Sequence, residues 1–131
     1  MKPQSAARRA KPNANEDLAR RAAELCLDLK AQDLIVLDLA GVSDVTDYFI
    51  IASGTSDTHV RGIADHVFEG MKLAGFPAIN VEGMSQGKWV LLDFFDVVVH
   101  VFHPTQRTFY QLERLWSDAR TIAIEPQGAA S

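Results

Sequence analysis

The chain has 131 residues, a formal net charge of −4, 47% hydrophobic and 23% charged residues, which exclude a wholly disordered, coiled-coil or collagen-like chain. No apolar run approaches the roughly 20 residues that cross a bilayer, because Asp33, Asp38, Asp47, Asp93, Asp96 and His100 interrupt every greasy stretch. One cysteine, Cys26, permits no intramolecular disulfide, so the expectation is a single soluble intracellular domain that buries about two-thirds of its unfolded surface.

Residues 1–15 carry Lys2, Arg8, Arg9 and Lys11 without an acid, whereas the remainder holds 9 basic and 17 acidic residues, a balance of −8. The arm lacks the central apolar stretch of a secretory signal and reads as a disordered basic arm. An RNA contact and a short organelle transit peptide are its other readings. The acidic body repels nucleic-acid phosphates and attracts basic partners.

Residues 16–30 place Leu18, Ala22, Leu25 and Leu29 on one stripe, with Glu16 and Asp17 early, where the helix dipole favours them. A continuous apolar run at 33–39 reads as a strand, and 47–52, rich in β-formers, as a second. Ser53 to Asp57 offer N-caps for a helix carrying Val60, Ile63, Ala64, Val67, Phe68 and Met71, which Gly75 terminates. Strands follow at 78–82, 88–94 and 97–102, then a helix near 105–117 with Phe109, Leu112, Leu115 and Trp116 inward. Residues 118–131 read as a flexible tail in which Ile122 and Ile124 can dock. The expected architecture is α/β, a mixed sheet of about five strands with packed helices, one domain over 16–117, and a β-α-β unit between 47 and 82.

Alternation puts Val90, Leu92 and Phe94 on one side of strand 88–94 and Trp89, Leu91 and Asp93 on the other. The next strand sets Val97, Val99 and Val101 against Val98, His100 and Phe102. The second side stays apolar where a solvated face is polar. Either it docks a partner or the first or last helix covers it.

Catalytic motifs are weak. Ser53-Gly54-Thr55-Ser56 at a strand-to-helix turn suits an anion, yet one glycine and no P-loop lysine make an ordinary cap the simpler reading. A nucleotidyltransferase needs Gly-Ser and then paired carboxylates for metal ions. Here Gly54, Glu82 and Asp93 take those places, and Asn80 stands where the first of the alternating pair belongs. His59 and His66 lie two helical turns apart, beyond shared metal reach. His100 reads as a hydrogen-bonded sheet histidine and Cys26 as a buried inert thiol. Tyr48 and Tyr110 read as core residues with rim hydroxyls. No metal, cofactor or catalytic residue is assigned.

Three segments, 34–60, 81–104 and 109–116, resemble the ribosomal silencing factor (Iojap-like) family. Asp47-Tyr48-Phe49, Val81-Glu82-Gly83 followed by Trp89, Asp96 through Phe102, and Leu112-Glu113-x-Leu115-Trp116 occur in that order, with no departure inside the domain. The resemblance covers 33–116 and leaves out the arm and tail. It implies a nucleotidyltransferase-like fold without catalysis. It also implies a translational repressor that binds the large ribosomal subunit through ribosomal protein fourteen and sterically blocks small-subunit joining when nutrients are short. Self-association as a homodimer when free, little direct rRNA contact, a bacterial cytoplasmic location and, in organellar relatives, large-subunit assembly are further implications. Together with the acidic body and the spare apolar face, it nominates Lys88, Trp89, Leu91 and Asp93 as partner contacts, with His100 and Tyr48 in support. The rivals are a divergent nucleotidyltransferase using Glu82 and Asp93, and a dimeric module whose apolar face satisfies itself.

Overall fold

The computed structural model describes residues 12–42, 44, 46–107 and 119–124. The elements are α1 (Pro12–Asp28), β1 (Gln32–Asp38), β2 (Tyr48–Ser53), α2 (Asp57–Leu73), β3 (Asn80–Glu82), β4 (Trp89–Asp93), β5 (Val97–Phe102), α3 (Pro104–Arg107) and β6 (Arg120–Ile122). They build one six-stranded sheet in the order β3-β4-β5-β2-β1-β6. Only β2 and β5 are parallel neighbours; the other pairs are antiparallel. The fold is therefore mixed α/β, with one strand more than expected.

The extra strand is β6, which pairs Val36 with Ile122 and Asp38 with Arg120 in the segment expected to trail away. Three residues are too short for a period-2 signal, and pairing with β1 supplies what local sequence does not. Residues 12–15, expected to belong to the disordered arm, lie in α1. The expected helix over 105–117 is seen only as α3; its inward residues and Tyr110 lie outside the described residues.

The β-α-β reading needs one correction. β3 runs in the direction of β2, but β4 and β5 lie between them, because the β3-β4-β5 meander folds back and delivers β5, not β3, to β2. All six residues of β2 and of β5, the two central strands, are buried.

Both long helices pack on the same side. Leu18, Ala22, Leu25 and Cys26 of α1 and Val60, Ile63, Ala64, Val67 and Met71 of α2 share one core with Val36, Ile50, Ala52, Val90, Leu92, Val97, Val99 and Val101. The helices come close at Gly70, where a Cβ would reach within 2.6 Å of Leu25 Cδ2. Ser56 caps α2 by accepting from the His59 amide at 3.1 Å, and Gly75, at φ +97°, follows the Ala74 C-cap. His59 Nε2 meets the Leu29 carbonyl at 2.7 Å and His66 Nε2 meets Asp28 Oδ2 at 3.1 Å, so both histidines hold the end of α1 instead of sharing a metal. Among the described residues, no helix is long and apolar enough to cross a membrane.

Candidate functional site

The opposite side of the sheet carries Leu37, Phe49, Ile51, Val98 and Phe102, with Ile35 and Leu91 packed against them. Neither α1 nor α2 covers this side, yet its centre is buried: Ile51 is 1% exposed, Phe102 2% and His100 3%. The open apolar surface is thus narrower than strand alternation suggests. It includes the face of β4, where Trp89 is 43% exposed and Leu91 and Asp93 are half-buried.

Register explains the grouping. Trp89 pairs with Phe102, Leu91 with His100 and Asp93 with Val98, so these six residues form a ladder on one face. The Trp89 ring tilts over Phe102 with centroids 5.0 Å apart, and its indole N–H donates to His100 Nδ1 at 3.1 Å. His100 lies 4.6 Å from the Phe49 ring and stacks on Phe102 at 6.1 Å. Burial pushes its imidazole down to about 4, so it is neutral at physiological pH. With Nδ1 accepting, the ring proton resides on Nε2, which has no hydrogen-bond partner among the described residues. An unpaired buried donor of this kind costs about 1–3 kcal/mol.

The remaining nominated residues divide. Asp93 accepts the Phe95 amide at Oδ1, 2.8 Å away, and shapes the β4–β5 turn, in which Phe95 adopts φ +78°. Lys88 reaches Asp57 at the start of α2, with Nζ 3.1 Å from Oδ1. This hydrogen bond, with the Lys88, His103 and Arg61 charges, holds the Asp57 carboxyl below the usual range. His103 Nε2 stands 3.5 Å from the same oxygen. Asp57 read only as a cap candidate in the sequence; nothing local shows that the β4–β5 pairing would bring Lys88, 31 residues away, and His103 to it. Tyr48 lies on the helix-covered side, 5% exposed in the main core, and burial and Asp38 push its phenol up to about 12. Trp89, Leu91, Asp93 and His100 therefore come together, Lys88 sits at the margin beside α2, and Tyr48 lies across the sheet.

Two of the residues named for a nucleotidyltransferase, Gly54 and Asp93, stand apart along the sheet. Gly54 follows Ser53, which pairs with Phe102, whereas Asp93 pairs with Val98, roughly 13 Å further along the ladder at about 3.3 Å per residue. Glu82 accepts from Asn80 Nδ2 at 2.8 Å. Among the described residues, no three His, Cys, Asp or Glu side chains are grouped to hold a metal ion. Cys26 of α1 is buried in the core, where desolvation pushes its thiol up to about 12, the behaviour of an inert core residue.

Comparison with known proteins identifies the family. The family model described as ribosomal silencing factor during starvation matches residues 11–131. The ribosomal silencing factor RsfS of Bacillus subtilis is 42% identical over 104 residues, covering 79% of this chain and 88% of that protein. Mouse mitochondrial assembly of ribosomal large subunit protein 1 is 32% identical over 90 residues, covering 66% of this chain and 40% of that one. A crystal structure of a Chromobacterium violaceum protein superposes with a TM-score of 0.76 at 33% identity, covering 88% of this chain and 98% of that chain. The chain belongs to the ribosomal silencing factor family.

Proposed function

We propose that this protein is a translational repressor that binds the large ribosomal subunit through ribosomal protein fourteen and blocks small-subunit joining under nutrient limitation. The observation that carries the reading is the exposed Trp89 beside half-buried Leu91 on an apolar sheet face, in a chain whose relatives are named for ribosome silencing. A body of −8 suits a basic ribosomal protein better than rRNA, so direct rRNA contact is minor. Trp89, Leu91 and Asp93 form the contact face; Lys88 borders it, His100 supports it from beneath, and Tyr48 acts only through the core. The free protein is a cytoplasmic homodimer, and the mouse relative's name supports an added part in large-subunit assembly.

Sedimentation with purified ribosomal subunits tests this. Co-sedimentation with large subunits alone, together with fewer joined ribosomes, is the expected result. Failure to bind either subunit at low salt overturns it.

A further inference from the structure

Trp89 is open to solvent, yet its one polar atom points inward, donating to His100 Nδ1 diagonally across the β4–β5 ladder. The neutral His100 ring, set among Phe49, Phe102 and Trp89, offers only this acceptor, and its protonated Nε2 is buried with no partner among the described residues. A leucine or phenylalanine would fill the same space without an unpaired polar atom. What distinguishes histidine at this position is the bond to Trp89.

We propose that His100 is the positioning residue of the docking face. It holds the Trp89 ring against Phe102 and satisfies the indole N–H from within. Trp89 then meets its partner as an apolar surface, and the matching point on the partner carries an aliphatic group and no hydrogen-bond acceptor. The stem of a lysine or arginine meets that description and suits the charge of the body. A tryptophan whose N–H is paired and whose torsions are fixed before docking gives up less on binding. This inference rests on the proposed docking role and adds the chemistry of the partner's contact.

The test measures affinity of the full chain for purified bacterial large ribosomal subunits. His100→Leu weakens binding about fivefold to tenfold, whereas His100→Asn, whose Oδ1 stands in for Nδ1, stays within about twofold. In a Trp89→Phe background, which has no indole N–H to hold, His100→Leu has no added effect. In the unaltered protein, the Trp89 indole proton exchanges with water more slowly than that of free tryptophan. That readout stands even where His100→Leu does not fold. Equal losses in His100→Leu and His100→Asn, an undiminished loss in the Trp89→Phe background, or exchange at the free rate overturns the inference. A weakened Trp89→Ala beside an unaffected His100→Leu overturns the positioning alone. Full-strength binding by Trp89→Ala overturns the docking face, and the inference with it.

Discussion

Arg120 Nη2 lies 2.6 Å from Asp38 Oδ2, joining β6 to β1 across 82 residues of chain. The guanidinium is largely exposed, so its pair contributes little, whereas Ile122 beside it is buried in the main core. Arg120→Ala is expected to cost below about 1 kcal/mol and Ile122→Ala about 2 kcal/mol in urea denaturation. The reverse ranking would mean that charge, not burial, fastens the last strand.

Gly83 stands at φ +84°, and a Cβ there would overlap the Trp89 carbonyl oxygen. Gly83→Ala combines backbone strain with a clash against β4 and is expected to destabilise by about 3 kcal/mol. Gly70→Ala meets the Leu25 side chain and no backbone atom, at a helical φ, and is expected to cost less. Thermal melts of the two variants rank them.

Trp89→Glu places a charge on a half-exposed site and not in the core. Binding to large subunits should fall at least about tenfold, the loss expected of an interface anchor, with an unchanged circular dichroism spectrum. A collapsed spectrum would assign Trp89 a core role instead.

Acid should weaken the fold through His100. Its imidazole, ordinarily near 6.5, is pushed down to about 4, so between those values the unfolded chain binds the proton more readily. The stabilisation is complete above pH 6.5 and is lost progressively as pH falls to 4, a change of order 3 kcal/mol. Denaturation at pH 7 and pH 4.5 should show a smaller loss in His100→Phe than in the parent. An equal loss would place the acid sensitivity elsewhere.

Cys26, fully buried with its thiol raised to about 12, should resist iodoacetamide at pH 8 in the folded protein and react fully in denaturant. Mass spectrometry distinguishes the two. Rapid labelling of the native chain would mean that α1 opens readily from the sheet.

The sequence by itself determined the elements with a strong local signal. The 3.6-residue period of α2 and the apolar runs of β2 and β5 appear close to their expected bounds, since period and β-propensity are local properties. Alternation also grouped Trp89, Leu91 and Asp93 correctly on one face. Strand neighbours, and therefore faces shared between distant strands, were decided only in three dimensions. Tyr48 and Trp89 were both nominated as partner contacts, but the β2–β5–β4 register sets Tyr48 in the helix-covered core and leaves Trp89 open on the other face. β6 and the Asp57–Lys88–His103 cluster likewise depend on pairing across the chain. The hydrogen bond that turns Trp89 inward exists because antiparallel pairing puts His100 diagonally opposite it, a relation carried by register and by no local pattern.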